Sequence, residues 1–563
     1  MKTSSLSKSQ TVLFYSRPTG TQLKSSVSLS ALCIAPLVAV AVAFVIYEAV
    51  VPGQQSDTAD QARDTIESIF EDLVKDLEEE KMAEALPGRP GNLTPEQEEK
   101  LRKFWEVFLQ VCGVLGSEEG DAPATSLGEQ GKTGTDKTPK KKRHMSLFKK
   151  KDKKDKDGKD KDSISSEKTA SSDSTTKATS NEDDKWGENK TYQEVLAKHT
   201  PEAIRSTIWA MVKHDHPDAL LLRFLRARKW DVQKALSMLL STMHWRASEA
   251  HVDDDIMVHG EALAAEQEKT GADEAARKAG ADFLAQMRLG KSYIHGVDNS
   301  GRLICVVKAA LHRAGEQSEE SLERYTVYLI ETSRLMLKPP ADTACIIFDM
   351  TGFSLANMDY APVKFMIRCF EANYPESLGV VLVHKAPWVF QGIWKVIRGW
   401  LDPVVASKVN FTNNAKDLEQ FIAPERIMRE LDGGEDWAYQ YVEPVDGENA
   451  AMADTAARDA LLREREALYE EYEQRTVDWI GSEEADKRAA AQAARNEVAR
   501  KLDTQYWRLD PYVRARSLYD RVGIIKPGGV VDYYPSTNGP AAAAATNGTA
   551  AATTADTSAD DVD

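Results

Sequence analysis

Two uninterrupted apolar segments near the middle of the chain, TACIIFDM and LGVVLVHK, constrain the fold most strongly. A helical pattern precedes each of them, from Ser318 to Lys338 and from Asp359 to Asn373. Further upstream, KSYIHGV and RLICVVK alternate with a two-residue period and are joined by the turn sequence DNSG, which predicts a hairpin. Apolar strands that alternate with helices of crossover length form parallel sheets covered by helices. The sequence therefore predicts an α/β fold and not a β-sandwich.

Helical patterns occupy the chain on both sides of this region. Apolar residues recur at three- and four-residue spacing before and after a break at Trp230-Asp231. A charged helix is predicted at about 260–289, and two helices rich in Ala, Glu and Arg at about 451–480 and 484–504. The predicted regions are an N-terminal extension (1–57), a helical region (58–116), an insertion (117–190), a helical lobe (191–289), a sheet-containing lobe (290–436), C-terminal helices (437–534) and a tail (535–563).

The insertion and the tail have the composition of disordered segments. Residues 117–190 are rich in Gly, Ser, Thr, Asp and Lys, and such a segment cannot bury enough apolar surface to offset its ordering entropy. Within it, residues 140–161 contain 12 Lys and Arg and 4 Asp, a local charge of +8. This basic run has three interpretations: a solvated linker, a patch for anionic membranes, or a nuclear-import or nucleic-acid tract.

An uncharged segment of 23 residues, from Ser25 to Tyr47, is long enough to span a bilayer. Basic residues precede it, as they do in both membrane anchors and targeting peptides. Three interpretations stay open: a membrane span, a cleaved targeting peptide, or an upstream exon wrongly joined to the gene. The span interpretation places about residues 25–51 in a membrane, such as that of the endoplasmic reticulum.

Composition excludes several classes of function. The net charge of −17 argues against a globally basic nucleic-acid binder, and 42% hydrophobic residues fit a globular chain. The five cysteines form no C-x-x-C pair, which argues against a zinc ribbon or a disulfide scaffold. No nucleophile and base, metal-ligand set or dinucleotide fingerprint can be placed. We therefore expect no enzyme activity, no metal and no cofactor.

Residues 386–401, APWVFQGIWKVIRGWL, form an unusually aromatic segment in which only Lys395 and Arg398 are charged. Such a helix is either buried between other helices, or it covers an apolar cavity and dips into lipid. Two charges flank neighbouring strands: Glu376 precedes LGVVLVHK, and Lys408 precedes the next extended run. They are either ordinary surface charges or a pair that holds a phosphorylated head group at a pocket rim.

Six motifs occur in the order LLLRFLRARKWDV, DNSGR, FDMTGFS, NYPES, APWVF and LDPVVASKV. Together they resemble the CRAL-TRIO family, specifically the fungal phosphatidylinositol transfer proteins, over about Lys81 to Trp437. The resemblance implies a helical N-terminal lobe and a lipid-binding lobe. In the second lobe a mixed, mostly parallel sheet floors an apolar cavity, and a mobile helix closes it. This helix corresponds to residues 387–401, here called the gate segment.

The resemblance also assigns roles to residues. Glu376 and Lys408 match the acid and base that hold the inositol phosphate, and Arg228 matches an arginine that supports this region. The predicted gate residues are Trp388, Phe390, Ile393, Trp394, Ile397 and Trp400. Ser377 and Val405 depart from the family pattern by one charge and one hydroxyl, which leaves the second lipid open.

The function implied by the resemblance is binding and transfer of phosphatidylinositol between membranes without catalysis. The alternatives are a membrane-tethered scaffold with a lipid-sensing lobe, or a carrier of another hydrophobic ligand such as a sterol. The expected partners are phosphatidylinositol, a possible second lipid and a membrane surface, with no nucleic acid, and the protein is expected to be a monomer. We expect the lipid lobe to face the cytosol, although N-x-T sequons would be glycosylated in a lumenal protein.

Overall fold

The computed structural model describes residues 86–116 and 184–535. The chain divides into two units between Ala85 and Leu86, and all of these residues lie in the second. Its helices and strands are α1 (Pro95–Val111), α2 (Glu188–Lys198), α3 (Pro201–Val212), α4 (Pro217–Ala227), α5 (Val232–His244), α6 (Met257–Thr270), α7 (Glu274–Leu289), β1 (Ser292–Val297), β2 (Leu303–Lys308), α8 (Glu319–Met336), β3 (Ala344–Asp349), α9 (Tyr360–Arg368), β4 (Leu378–His384), α10 (Phe390–Arg398), α11 (Pro403–Ser407), β5 (Val409–Thr412), α12 (Ala415–Leu418), α13 (Thr455–Gly481), α14 (Ala485–Val513) and α15 (Leu518–Arg521). Segments of π-helix lie at Trp245–Glu249, Val252–Ile256 and Cys369–Asn373.

The five strands form one sheet in the order β1-β2-β3-β4-β5. The hairpin partner β1 is antiparallel to β2, and all other pairs are parallel. The predicted α/β fold with a mixed, mostly parallel sheet is therefore confirmed. Side chains alternate between two covered faces: Cys345 and Ile347 pack towards the 415–431 segment, whereas Ile346 and Phe348 face a cavity.

The helical lobe has a core to which both ends of the described chain contribute. Helices α1, α3, α4 and α5 bury their apolar faces together with Tyr472 and Trp479 of α13 and Leu502 of α14. The chain then continues onto the sheet, where the Tyr519 hydroxyl accepts the backbone N–H of Ile294 at 2.8 Å. The C-terminal helices are thus built into the same core as the helical lobe.

Two predicted boundaries are wrong. The single helix predicted at 260–289 is two helices, because Gly271 ends α6 and the Asp273 side chain caps the start of α7. The composition places residues 184–190 in the disordered insertion, yet α2 starts at Glu188. This start is ordered because Glu188 pairs with Arg228.

The hydrophobic segment 25–47, the basic run 140–161 and the tail beyond residue 535 lie outside the described residues. Within residues 86–116 and 184–535, no helix is both long and apolar enough to cross a bilayer. Over the same ranges, no group of His, Cys, Asp and Glu side chains is arranged to hold a metal ion.

Candidate functional site

A largely apolar cavity of about 250 Å³ lies between one face of the sheet and helices α8, α9 and α10. The sheet and the three helices all contribute to its walls, because each presents an apolar face to the same space. The principal apolar lining residues are Val307, Ile346, Phe348, Val381, Val383 and Val409 from the strands, Leu322 and Tyr325 from α8, Val363, Met366 and Ile367 from α9, and Phe390, Trp394 and Ile397 from α10.

Helix α10 covers the cavity with one apolar face. Phe390 and Ile393 are buried, and the Phe390 ring packs edge-to-face on Phe353 at 5.9 Å between centroids. Trp394 lines the cavity and packs on Phe411 at 5.5 Å. The opposite face of α10 is open, so the aromatic segment is not enclosed between other helices.

Two tryptophans of the gate segment lie outside α10. Trp388 stands in the preceding turn and is 86% exposed. Trp400 follows the helix and packs edge-to-face on Tyr360, with the Lys364 ammonium 4.9 Å from its ring centre. The two ends of the gate segment therefore differ. The Trp388 indole at its N-terminal end is exposed, whereas Trp400 at its C-terminal end is packed against α9.

No sequence motif marks Glu371, yet its carboxylate holds the second end of the gate segment. Oε1 accepts the backbone N–H of Asp402 at 2.7 Å, and Oε2 accepts from the Lys185 ammonium at 2.7 Å and the Trp186 indole N–H at 3.3 Å. The Lys185 ammonium also donates to the carbonyl of Trp400. These contacts, here called the Glu371 latch, join the gate segment to the residues directly before α2.

Glu376 and Lys408 lie at the starts of the neighbouring parallel strands β4 and β5, so they share one edge of the sheet. The Lys408 ammonium donates to the carbonyl of Leu378 at 2.7 Å. Among the described residues, the Glu376 carboxylate has no hydrogen-bond or ion-pair partner, and no ion pair joins it to Lys408. Both half-buried charges therefore keep bonding capacity for a ligand.

The structure does not bring Arg228 to this pair. Arg228 caps the end of α4 and forms an ion pair with Glu188 of α2. The arginine that contacts the Glu376 segment is Arg223, whose guanidinium donates to the carbonyl of Glu376 at 2.8 Å and to that of Asp342. Arg223 thus supports the backbone on which Glu376 stands, and this backbone has a left-handed φ of 55°.

Arginines concentrate positive charge beside Glu376. Arg89 and Arg226 both pair with the Asp342 carboxylate, and Arg223 donates to the main-chain carbonyl of Asp342, so three guanidinium groups meet at one residue. Burial lowers the pKa of Arg223 and brings that of Arg226 to about 10. Burial acts to raise the pKa of Asp342, but the charge of Arg223, the hydrogen bond from Arg89 and the charges of Arg89 and Arg226 together outweigh burial and leave this pKa below its ordinary value. The edge next to Glu376 therefore carries excess positive charge.

Comparisons with known proteins agree with this architecture. The model of the CRAL/TRIO domain matches residues 287–433, and that of the CRAL/TRIO N-terminal domain matches residues 190–241. The CRAL-TRIO domain-containing protein C3H8.02 of Schizosaccharomyces pombe is 40% identical over 440 residues, which are 78% of this chain and 93% of the relative. The chain belongs to the CRAL-TRIO family.

A second relative of this CRAL-TRIO protein is the phosphatidylinositol transfer protein CSR1 of Eremothecium gossypii. It is 38% identical over 450 residues, which are 78% of this chain and 99% of the relative. A solved structure, the crystal structure of Sfh5, covers 36% of this chain and 66% of its own, with 16% identity and a TM-score of 0.27. The resemblance predicted from the motifs is confirmed at the level of the family.

Proposed function

We propose that this CRAL-TRIO protein binds phosphatidylinositol and transfers it between membranes without changing it covalently. The observation that carries the proposal is the apolar cavity closed by α10. The name of the CSR1 relative supports the choice of lipid. The unpaired charges of Glu376 and Lys408 at one sheet edge suit an inositol phosphate head group, since a phosphate accepts charge-assisted hydrogen bonds and the inositol hydroxyls can donate to a carboxylate.

Acyl chains account for the need of a gate. Burying each methylene group contributes about 0.8 kcal/mol. Exposing the two acyl chains of a phospholipid to water would therefore cost far more free energy than any head-group contact could offset. The cavity of about 250 Å³ is smaller than the roughly 300–1,000 Å³ of typical ligand pockets. Binding a phospholipid therefore requires α10 to move outward, and closure follows once the chains are inside.

Transfer between vesicles tests the proposed function. Purified full-length protein is mixed with donor vesicles that contain labelled phosphatidylinositol and with unlabelled acceptor vesicles. We expect transfer in proportion to protein concentration, and native mass spectrometry should show a phospholipid bound to the protein. Transfer of a labelled sterol with none of phosphatidylinositol would replace the proposed ligand, and transfer of neither would favour the scaffold alternative.

We also infer that the protein works as a monomer at a cytosolic membrane surface. The four cysteines in the described ranges are free thiols buried in the fold, which suits a reducing compartment. Burial raises the pKa of the Cys305 thiol to about 12, so this thiol stays protonated and unreactive at neutral pH.

Membrane contact would use the exposed side of the gate segment, where the side chains of Trp388 and Val396 are exposed.

Trp388→Ala is expected to weaken vesicle binding about 10-fold or more. Burying a large apolar side chain contributes roughly 1.5–3 kcal/mol, and Trp388 is almost fully available for such burial. Cosedimentation with phosphatidylcholine vesicles measures the bound fraction. Leu289→Ala is the control, because Leu289 is a half-exposed apolar residue at the end of α7, away from the gate segment. Equal vesicle binding by the two variants would show that Trp388 does not contribute to membrane contact.

Glu371→Gln is expected to accelerate exchange of bound phosphatidylinositol about fivefold. The amide keeps the shape of the side chain, but it has one acceptor oxygen instead of two and no charge, so the Glu371 latch loses the hydrogen bonds at one end, a net loss of about 1 kcal/mol. The rate is read from the release of labelled lipid after mixing with excess vesicles. Glu419→Gln is the control, since Glu419 is exposed and its carboxylate has no hydrogen-bond or ion-pair partner among the described residues. An unchanged rate would mean that the latch does not limit opening.

A further inference from the structure

One corner of the cavity is polar and lies at the sheet edge opposite to Glu376 and Lys408. Lys291, Ser292, His312 and Asp359 line it and are here called the polar corner. Ser292 starts β1 and pairs with Val307 near the end of the antiparallel strand β2. Since β2 runs parallel to β4 and β5, the corner lies at the carboxyl edge of these strands, whereas Glu376 and Lys408 lie at their amino edge.

Lys291 is the unusual group in this corner. The residue is only 5% exposed, and no carboxylate of the described residues lies within ion-pair distance of its ammonium. The ammonium donates to the Gln317 side-chain oxygen and makes a long contact of 3.5 Å to Nδ1 of His312. Burial lowers the pKa of Lys291, and the carboxylates of Glu316 and Asp282, which lie beyond ion-pair distance, offset this effect only in part.

The surrounding groups leave one N–H of Lys291 unused. Asp359 is engaged by Nε2 of His312 at 3.2 Å and by the backbone N–H of Ala361 at 3.0 Å, so it does not neutralise Lys291. With Nε2 of His312 as donor to Asp359, Nδ1 is the acceptor towards Lys291. The Lys291 ammonium has three N–H groups but only two acceptors, so its third N–H can bind a ligand in the cavity.

The other polar side chains that line the cavity are already occupied. The Tyr325 hydroxyl donates to the carbonyl of Ser292 at 2.7 Å, and Lys308 pairs with Glu430 at 2.8 Å. The Asn357 amide donates to two backbone carbonyls. In the described part of the chain, the Ser292 hydroxyl has no hydrogen-bond partner. The corner therefore offers one cationic and one neutral donor beside apolar walls.

We propose that the polar corner binds the carboxylate of a second ligand, a long-chain monocarboxylic acid whose tail lies in the apolar cavity. A carboxylate supplies a counter-charge in direct contact with Lys291, which the protein itself does not provide, and has a second oxygen for the Ser292 hydroxyl. A single ammonium without further unpaired cations suits a monoanion better than a phosphate monoester. The inference deepens the proposed function, on which it rests, because it gives the lipid cavity a second head-group site separate from Glu376 and Lys408.

The test uses full-length protein stripped of lipid, with palmitate and hexadecanol as probes of equal chain length. Titration calorimetry should show that the wild type prefers palmitate. Lys291→Met should weaken palmitate binding about 10- to 150-fold, as expected for a charge-assisted hydrogen bond of about 1.5–3 kcal/mol. Hexadecanol, which lacks the charge, should bind both proteins alike. Lys269→Met is the control, because Lys269 is exposed on α6.

Two results overturn the proposal: a wild type that does not prefer palmitate, or a Lys291→Met variant that loses both probes equally. The first needs no variant, so it decides the question even if the substitution prevents folding. Phosphatidylinositol transfer by the wild type is measured separately. If phosphatidylinositol is transferred but palmitate does not bind, only the proposal of a second site is wrong. If palmitate binds through Lys291 but phosphatidylinositol is not transferred, only the proposed function is wrong.

Discussion

Lys408→Ala is expected to weaken binding of phosphatidylinositol about 10- to 150-fold and to slow its transfer accordingly. Lys408 lies at the start of β5, and its ammonium donates one hydrogen bond, to the carbonyl of Leu378. A hydrogen bond between a charged donor and a phosphate contributes about 1.5–3 kcal/mol, which converts to that range of affinity. The fold should change little, because the side chain is only half-buried.

Vesicle transfer and equilibrium binding with labelled phosphatidylinositol measure this effect. Lys416→Ala is the matched control, because Lys416 lies on α12 only eight positions further along the chain and is exposed. Transfer of labelled phosphatidylcholine in the same assay separates head-group recognition from gate movement. If Lys408→Ala transferred phosphatidylinositol at the normal rate, the charged-edge assignment would be wrong and another lipid would become the better ligand.

The acidic member of the pair needs a different substitution. Glu376 has a φ of 55°, where Glu and Ala both carry the Cβ that makes this conformation costly, so Glu376→Ala would change the size of the side chain together with its charge. Glu376→Gln keeps the side-chain shape and removes only the charge, so its effect on binding reports on the carboxylate. The main-chain contact with Arg223 uses the carbonyl of residue 376 and persists in this variant.

The sheet could be predicted from the sequence because its signals are local. Apolar runs, turn residues and capped helices lie within single elements, and α8 begins and ends within two residues of the prediction. The break at Trp230-Asp231 is likewise local: Trp230 has a left-handed φ of 65°, and the Asp231 side chain caps α5. Such features depend on neighbouring residues alone.

The packing of the C-terminal helices could not be predicted, since an amphipathic pattern shows that a helix has a partner but not which one. Tyr472 and Leu502 are buried against helices more than 200 residues earlier in the chain. The Glu371 latch is hidden for the same reason, because Lys185 lies 186 residues before its acceptor. The sequence also did not show which arginine supports Glu376. Because α4 ends at Ala227, the side chain of Arg228 turns towards α2 and pairs with Glu188. Arg223, one turn earlier, contacts the Glu376 backbone instead.

Asp218 joins the two ends of the described chain in one buried network. Its carboxylate accepts from the Trp105 indole at 2.6 Å, the Tyr472 hydroxyl at 3.0 Å, and both terminal nitrogens of Arg495 at 2.6 and 3.0 Å. Asp218 is 2% exposed and Arg495 is fully buried. Helices α1, α4, α13 and α14 therefore depend on a single ion pair and its hydrogen bonds.

Asp218→Ala is expected to lower the free energy of unfolding by about 3–5 kcal/mol, because it leaves the Arg495 cation buried without a counter-charge. Urea unfolding followed by tryptophan fluorescence measures the shift in midpoint. Asp459→Ala is the control: Asp459 forms an exposed pair with Arg458, which contributes about 0–1 kcal/mol. Similar midpoints for the two variants would show that α13 and α14 add little to the helical lobe.

The same pair predicts a pH dependence of stability. Burial acts to raise the pKa of Asp218, but the charges of Arg495 and His216 and the hydrogen bonds from Arg495 and Trp105 together outweigh burial and leave this pKa below its ordinary value. A carboxyl group whose pKa is lower in the folded state stabilises the fold above its unfolded pKa of about 3.9, and this stabilisation is lost as the pH falls through the folded pKa. The wild type should therefore lose its stability advantage over Asp218→Ala below about pH 4, and an advantage that persisted at lower pH would assign the effect to packing.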